Sequence, residues 1–297
     1  ELLLSIERFQ TLAARGHKII ILTSGVPGFP AEETKDNFNI YRSPIFADSK
    51  IGRGIRRLYF LIWAVWKMRK LDLDIIHHGG TGGITANLGW WGILLINKLI
   101  HKKGLKSVFV NSLADSEANP FEITRKRNNS KNKAIQSCDA LISVSPAIHK
   151  FAAEHFPLKS KLILNGIRDD IFTPITDTER ASIRNKHGAG PEEIVFSFLG
   201  TVTTRKGFDL LAQAFIKFVE KYPQSRLWLI GPLNETENQN FDDDTARIYL
   251  KELKKLGNKV VFFGRINDRE KLAKIIAASD VFLFPTRREG MPLAPME

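Results

Sequence analysis

The chain has 297 residues, and at about 150 residues per domain this length suggests two domains. Hydrophobic residues make up 43% of the chain and charged residues 26%, a balance that excludes a disordered, collagen-like or wholly membrane-embedded protein. The single cysteine, Cys138, cannot form an internal disulfide bond, which favours a reducing, cytoplasmic environment.

The chain is basic. Lys and Arg number 44 against 32 Asp and Glu, so the surface should attract anions such as nucleotides or phospholipid headgroups. No recognition module of the known DNA-binding and RNA-binding folds is visible, and we expect no nucleic-acid partner. Part of the basic excess flanks the apolar residues 58–66, namely Arg53, Arg56, Arg57, Lys67, Arg69 and Lys70. A helix over 53–70 with this pattern suits an anionic membrane surface, but the favoured interpretation is a core helix with charged ends.

Helices and strands alternate in the first half of the chain. Apolar residues at helical spacing predict helices over 2–14, 55–68, 84–100 and 146–154, the last capped by Ser145. Short apolar runs predict strands over 18–23, 74–77, 107–110, 140–144 and 162–164. The composition turns polar over 168–190, which indicates a linker and a short helix.

The alternation restarts after this linker. Strands are predicted over 194–199, 227–230, 259–263 and 281–284, and helices over 207–221, 245–256 and 270–278. Two successive runs of this kind predict an α/β chain of two doubly wound domains, residues 1–172 and 173–297. Ligands of such domains bind beyond the carboxyl ends of the strands, so the functional residues are expected in the loops that follow the strands.

The loop at 200–207, with the sequence GTVTTRKG, lies between a predicted strand and a predicted helix. Backbone N–H groups at such a junction can receive a phosphate, and Arg205 and Lys206 add positive charge. The loop has neither the Walker spacing nor the Rossmann glycine pattern. On these residues alone, a phosphate site and a plain surface turn remain equal alternatives.

Two carboxylates follow the last predicted strand, Glu289 and, eight positions later, Glu297. Gly290, Pro292 and Pro295 between them favour a loop followed by the start of a helix rather than one regular helix. Glu289 is then predicted on the loop, where it can reach sugar hydroxyls. Glu297 is predicted in the first turns of the helix, where it can reach a ribose.

Together these features resemble the family 4 retaining glycosyltransferases, whose GT-B architecture has two Rossmann-like domains that face each other across a cleft. The segments that carry the resemblance, in chain order, are LAARGHK at 12–18, DIIH at 74–77, CDALISVS at 138–145, LNGIRDDIFTP at 164–174, RKGFDLL at 205–211, LIGP at 229–232, FGR at 263–265 and the Glu-x7-Glu element. The resemblance implies an acceptor-side domain at 1–172 and a donor-binding domain at 173–297. The family's first strand and its C-terminal part are absent from the pattern, so we expect a fragment truncated at both ends.

The resemblance implies roles for individual residues of the donor domain. Lys206 falls on the donor pyrophosphate, Glu289 on the donor sugar, and Glu297 on the ribose hydroxyls. Arg205, in a different register, is a candidate to replace the arginine that the family usually has at position 201. The residues expected beside the phosphates and the sugar are Gly290, Met291, Pro292 and Leu293. Gly264 and Arg265 fall near the base, with a tight turn and a solvated arginine as equal alternatives. We expect the side chains of Lys206 and Glu297 to be exposed.

The chemistry implied by the resemblance needs neither a metal nor a cofactor. Negative charge develops on the departing nucleoside diphosphate, and a fixed lysine with backbone amides stabilises that charge most in the transition state. Lys206 and Glu289 are therefore the catalytic candidates. Retention is expected through front-face attack, and the resemblance implies no particular protein nucleophile.

The chain departs from the family pattern at two places. Thr201 stands where an arginine is usual beside the phosphates, and Asn111 stands where many members have a histidine near the sugar. His77 and His78, at the end of a predicted strand, join Asn111 as candidates for the acceptor side. The alternative for the two histidines is a structural role, because a histidine that ends a strand is commonly held by a hydrogen bond.

The leading hypothesis is a hexosyltransferase that transfers sugar to a glycan or lipid-linked acceptor, in polysaccharide or glycolipid biosynthesis. Its expected location is the cytoplasm, with a peripheral position on the inner face of the membrane as an extension through residues 53–70. One alternative is a GT-B nucleotide-sugar epimerase, which needs no acceptor. Another is a non-catalytic module that binds nucleotide sugars or a membrane surface.

Overall fold

The structure is a computed structural model, and it describes residues 9–25, 27–35, 38–44, 53–78, 89–100, 105–111, 129–155, 159–233, 243–287 and 289–297. Its contacts divide the chain into two compact units. We call the described residues up to Leu162 the N-terminal unit and those from Ile163 onward the C-terminal unit. The division precedes the irregular segment 163–168, whereas the sequence predicts the domain boundary at residue 172.

The N-terminal unit contains two sheets and their helices. Its elements are α1 (9–14), β1 (Ile19–Thr23), β2 (Glu32–Lys35), β3 (Phe38–Arg42), α2 (Arg53–Lys70), β4 (Ile75–His78), α3 (Gly89–Leu99), β5 (Lys106–Asn111), α4 (Asn129–Gln136), β6 (Ala140–Ser143), α5 (Pro146–His155) and β7 (Ser160–Leu162). One sheet has the order β1-β3-β2, with β1 parallel and β2 antiparallel to β3. The other has the order β4-β5-β6-β7 and is entirely parallel.

Apolar faces of the helices fill the core of this unit. Phe60, Leu61 and Ala64 of α2 pack with Met68 in one buried cluster. A second cluster joins α3, α4, β6 and α5 and contains Ile93, Ala134, Ile135, Cys138, Leu141, Phe151 and Ala152. Helix α2 is therefore a core helix along one face, as the favoured interpretation of its sequence predicts.

Most elements predicted for this half are present, and Ser145 caps α5 by accepting a hydrogen bond from the backbone N–H of Ile148 at 3.3 Å. The strand predicted over 162–164 is wrong by two residues, because the chain pairs with β6 over Ser160–Leu162. Strands β2 and β3 and helix α4 were not predicted. The β2 residues EETK are polar and carry little strand preference, and the polar α4 is stabilised by packing of its Ala134 and Ile135.

The C-terminal unit is a parallel sheet with helices on both faces. Its elements are α6 (Asp177–Lys186), β8 (Ile194–Leu199), α7 (Phe208–Lys221), β9 (Ser225–Ile230), α8 (Asp244–Lys255), β10 (Val260–Gly264), α9 (Arg269–Ala277) and β11 (Val281–Phe282). The strand order is β10-β9-β8-β11, and all pairs are parallel.

The two faces of this sheet bury different sets of residues because side chains alternate along a strand. Leu227 and Leu229 of β9 pack in one cluster with α7 and α8. Trp228 and Ile230 pack in the other cluster with α9 and, at its margin, α6. Every residue from Leu227 to Ile230 is thus buried, as expected of a strand covered by helices on both faces.

An ion pair joins α6 to the residue just before β11. The Arg184 guanidinium donates to Asp280 Oδ2 at 2.8 Å, and the backbone N–H of Val195 donates to the same oxygen at 2.7 Å. Burial alone would raise the pKa of Asp280, but the hydrogen bonds from Val195 and Arg184 outweigh burial and lower that pKa. This carboxylate fixes the chain at the start of β11, just before the segment that carries Glu289.

Strand β11 is shorter than the predicted 281–284. Leu283 still donates to the carbonyl of Ser197, but Pro285 has no N–H with which to continue the ladder. The chain then forms a loop and, at Leu293, a single turn in which the N–H of Glu297 donates to the Leu293 carbonyl at 2.9 Å.

Candidate functional site

The lysine loop (200–207) and the glutamate loop (285–290) leave the same edge of the C-terminal sheet. The first follows β8 and the second follows β11, and these two strands are parallel neighbours. Because the carboxyl ends of neighbouring parallel strands lie side by side, residues far apart in sequence meet there. This is the edge at which doubly wound sheets bind ligands.

Glu289 is the carboxylate at the centre of this edge. Its Oε1 accepts a hydrogen bond from Lys206 Nζ at 2.5 Å and one from the Thr286 hydroxyl at 3.0 Å. Arg205 Nη1 lies 3.5 Å from the same oxygen. Two cations and one hydroxyl thus converge on one carboxylate oxygen, so the structure brings together the residues predicted for the pyrophosphate and the sugar.

The Lys206 side chain is only 19% exposed and that of Glu289 only 12%. The expectation that Lys206 is an exposed side chain is therefore wrong. Lys206 ends a short 3-10 turn, Thr204–Lys206, capped by the Thr203 hydroxyl, and its Cδ lies 3.9 Å from a Cβ built on Gly200 of the same loop. The partial burial strengthens electrostatic interactions at the ammonium group relative to those in bulk water.

Glycines let the backbones of these loops approach closely. Gly207 has φ of 71°, and a Cβ built on it would lie 1.9 Å from the carbonyl oxygen of Pro285. Gly231, after β9, has φ of 140°, and its Cβ would lie 2.0 Å from the carbonyl oxygen of Gly200. Side chains at either position would force the ends of β8, β9 and β11 apart. The importance of Gly231 was not anticipated, because only the neighbouring strands reveal it.

A second ion pair links the glutamate loop to the first turn of α7. Arg287 donates to both Asp209 carboxylate oxygens, at 2.6 and 2.8 Å, and its Nη1 also donates to the Thr204 carbonyl. Chiefly through these hydrogen bonds, Arg287 lowers the pKa of Asp209. Asp243, the cap of α8, accepts from the Thr204 N–H at 2.6 Å. Sequence reasoning missed all three charged residues, since their partners lie far away along the chain.

Glu297 belongs to a different ion pair. Its Oε1 accepts from Arg269 Nη2 at 2.6 Å, at the start of α9, and its side chain is only 3% exposed. The Arg269 guanidinium in turn lies 4.7 Å from the ring centroid of Phe172. The expectation of an exposed Glu297 is wrong, because its carboxylate is almost fully buried and paired with Arg269.

The other predicted donor-side residues lie on the loops of the same unit. Asn165 Nδ2 donates to the Met291 carbonyl at 3.3 Å, so this amide holds the backbone between Gly290 and Pro292. Gly290, Met291, Pro292 and Leu293 are all partly buried. Gly264 ends β10 with φ of 67°, and the Arg265 that follows it is exposed. The Gly264 carbonyl accepts from the N–H of Gly231 at 2.9 Å.

The acceptor-side candidates lie at the carboxyl end of the β4–β7 sheet. His78 Nε2 lies 3.1 Å from Asn97 Oδ1 on α3, and burial lowers the pKa of His78. His77 points to the opposite face, is exposed, and meets the Phe9 ring edge-on at 5.3 Å. Asn111 ends β5, and its side chain lies outside the described residues, as does the glycine-rich segment 79–83.

Among the residues that the structure describes, no group of three or more His, Cys, Asp or Glu side chains is arranged to hold a metal ion. Within the same residues, no helix combines the length and the apolar character needed to cross a bilayer.

Comparison with known proteins identifies the family. The model of Glycosyltransferase Family 4 matches residues 9–171, more than half of the chain, and that of Glycosyl transferases group 1 matches residues 179–297. The chain therefore belongs to glycosyltransferase family 4, as its motifs indicate.

Individual relatives agree with this assignment. Mannosylfructose-phosphate synthase of Agrobacterium fabrum is 35% identical over 169 residues, a match that covers 54% of this chain and 36% of that enzyme. The chain thus spans about a third of the length of this curated relative.

Solved structures share the fold. Sucrose-phosphate synthase from Thermosynechococcus elongatus has a TM-score of 0.71 at 19% identity, covering 96% of this chain and 69% of that chain. Anabaena Alr3699/HepE, in complex with UDP and glucose, has a TM-score of 0.60 at 16% identity, covering 90% and 74%. The predicted α/β fold of the GT-B class is confirmed.

Proposed function

We propose that the protein is a retaining hexosyltransferase that moves a hexosyl group from a nucleotide sugar to a glycan or lipid-linked acceptor. The observation that carries the proposal is the convergence of Lys206, Arg205 and Glu289 beyond the carboxyl ends of β8 and β11. Two cations at this edge suit a diphosphate, and a carboxylate beside them suits the hydroxyls of the attached sugar.

The proposed chemistry follows the movement of charge. As the bond between the sugar and the diphosphate breaks, negative charge accumulates on the leaving oxygen, and Lys206 with Arg205 stabilises it without a metal ion. The acceptor hydroxyl attacks from the same face and transfers its proton to the departing diphosphate oxygen, so the anomeric configuration is retained. Glu289 is proposed to hold the sugar, with Gly290, Met291, Pro292 and Leu293 beside the phosphates.

The remaining assignments complete the proposed donor site. Glu297 is proposed on the ribose hydroxyls, and Gly264 and Arg265 near the base. The Anabaena neighbour solved with UDP and glucose supports a uridine nucleotide as the first donor to test. On the acceptor side we propose His77, His78 and Asn111, within a domain of residues 1–172, with 173–297 as the donor domain.

Thermal unfolding with UDP, GDP, ADP or dTDP tests the donor site. A ligand at about 100 times its Kd stabilises the folded state by about 2.7 kcal/mol. One nucleotide should raise the Tm of the wild type and of the control Lys255→Ala, whose ion pair with Glu252 lies on the exposed surface of α8. Lys206→Ala should abolish that rise. Equal shifts in Lys206→Ala and the wild type would refute the donor site.

The same preparation separates the alternative functions. When the protein is incubated with the nucleotide sugar and no acceptor, the nucleotide sugar should stay unchanged or be hydrolysed slowly. Release of a 2-epimer would establish the epimerase instead. Tight donor binding without transfer to any acceptor would favour the non-catalytic module.

One face of α2 favours a peripheral position on a membrane. Ile55, Leu58, Ile62 and Trp66 recur at helical spacing, and each residue is between 47% and 59% exposed. Lys70 Nζ lies 3.8 Å from the ring centroid of Trp66, which places a cation beside this apolar stripe. A stripe of this kind with basic residues suits the headgroup boundary of an anionic bilayer. We therefore propose a cytoplasmic protein that binds the inner face of the membrane through residues 53–70.

Sedimentation with lipid vesicles tests this surface. The wild type should bind vesicles that contain phosphatidylglycerol and should not bind pure phosphatidylcholine. Ile62→Glu should reduce binding at least about tenfold, because a charge on the stripe must leave the apolar boundary. Ile248→Glu, at an equally exposed isoleucine of α8, is the matched control and should bind as the wild type does. Equal loss in both variants would refute the α2 surface.

A further inference from the structure

The lysine loop and the glutamate loop are joined by more than the pair of Lys206 and Glu289. The backbone N–H of Arg287 donates to the Arg205 carbonyl at 3.0 Å, and the Thr286 hydroxyl lies 3.3 Å from that same carbonyl. The carbonyl between the two donor-site cations is therefore held by the loop that carries Glu289. This contact holds the backbone at Arg205. It does not by itself orient the side chains of Arg205 and Lys206.

The Arg287 side chain supplies the second connection. Its guanidinium holds the Asp209 carboxylate with two parallel hydrogen bonds and reaches the Thr204 carbonyl. Thr204 begins the 3-10 turn that ends at Lys206, and Asp209 lies in the first turn of α7. One planar guanidinium thus spans the lysine turn and the helix after it, and such two-point contacts fix orientation as well as distance.

The ion pair of Arg287 and Asp209 also changes the charge near Lys206. Asp209 lies three residues after Lys206, and its ionised carboxylate weakens the attraction of this edge for a diphosphate. Arg287 neutralises that carboxylate, so that it does not add to the negative charge of Glu289 beside Lys206 and Arg205. Asp243, the N-cap of α8, contributes a further negative charge near Arg287 and raises the pKa of Arg287, after the larger effect of Asp209.

We infer that Arg287 and Asp209 are positioning residues, a clamp that sets Lys206 for the donor diphosphate without touching the donor. The inference rests on the proposed function, because it assumes that Lys206 receives phosphate. It assigns a role to the loop residue two positions before Glu289 that neither the motif nor the family comparison supplies.

The test compares UDP with uridine, which has the same base and ribose and no phosphate. Arg287→Ala should weaken UDP binding about tenfold, equivalent to about 1.4 kcal/mol, and leave the affinity for uridine unchanged. Arg287→Lys, which keeps the charge and loses the two-point contact, should recover only part of the loss. Asp209→Ala loses the same contact but also removes a negative charge, so it should weaken UDP binding less than Arg287→Ala does, and the double variant should be no weaker than Arg287→Ala.

The controls separate the clamp from a general structural role and from the donor site itself. Urea unfolding without ligand shows which variants fold. If an alanine variant does not fold, Asp209→Asn and Arg287→Lys are the conservative replacements to compare. Equal loss of UDP and uridine affinity, or additive losses in the double variant, would overturn the inference. If wild-type protein binds UDP and Arg287→Ala binds it equally well, the inference alone fails. Absence of nucleotide binding by the wild type overturns the proposed function and the clamp together.

Discussion

Lys206 Nζ and Glu289 Oε1 lie 2.5 Å apart, although the two residues are 83 positions apart in the chain. The proposed donor site thus contains its own anion. A diphosphate that binds Lys206 must compete with the Glu289 carboxylate, and this competition links the affinity for nucleotide to the charge of one side chain.

Replacing Glu289 by glutamine should therefore separate binding from transfer. Glu289→Gln removes the competing charge and should bind UDP about threefold to tenfold more tightly by calorimetry. Transfer of the sugar should fall at least about a hundredfold, because the group proposed to hold the sugar is lost. Glu252→Gln, which removes an exposed carboxylate of α8, should change neither quantity. Weaker UDP binding by Glu289→Gln would show that the Glu289 carboxylate does not compete with the diphosphate for Lys206.

A methyl group at Gly207 should destabilise the C-terminal unit. The left-handed φ costs about 1–2 kcal/mol for alanine, and the clash with the Pro285 carbonyl brings the loss to at least about 3 kcal/mol. Gly188→Ala is the matched control: its φ is also 71°, and the nearest atom, Arg226 Nη1, is 3.6 Å from the added Cβ. Urea unfolding of the two variants should show the difference, and equal losses would mean that the loops do not interlock at Gly207.

The stability supplied by Asp280 should depend on pH. Because its pKa is lowered in the folded state, its contribution is present above the unfolded-state pKa and is lost as the pH falls through the folded value. Asp280→Asn should lower the free energy of unfolding by about 2 kcal/mol at pH 7, and this gap from wild type should begin to narrow below about pH 4 and close as the pH falls through the folded value. Asp244→Asn, at a side chain 88% exposed, should show no such gap. A gap that persists unchanged at pH 3 would assign the loss to something other than the charge.

Glu297 should show both a structural and a ligand effect. Glu297→Ala leaves Arg269 without this carboxylate in a largely enclosed pair and should cost about 1–3 kcal/mol in urea unfolding. If Glu297 also holds the ribose, the variant should lose the preference for UDP over 2′-deoxy-UDP. Arg269→Ala breaks the same pair and keeps the carboxylate, so it should retain more of that preference. An unchanged preference in Glu297→Ala would remove this residue from the donor site.

The sequence by itself determined the alternation of strands and helices and the loops after strands that carry candidate functional residues. Those features rest on local periodicity, so β8 was predicted at its observed bounds, and Lys206 and Glu289 were predicted on loops that follow strands. The family followed from motifs of the same local kind. Polar elements such as β2 and α4 escaped because their stability comes from pairing and from packing with distant residues.

Only the tertiary structure decided which side chains meet. The sequence places Arg287 beside Glu289 and gives no reason to pair it with Asp209, 78 positions earlier. It also indicated exposed side chains at Lys206 and Glu297, both of which the fold encloses. Periodicity acts over a few residues, whereas strand order and close packing bring distant loops to one edge of a sheet, where burial and charge then select the pairs.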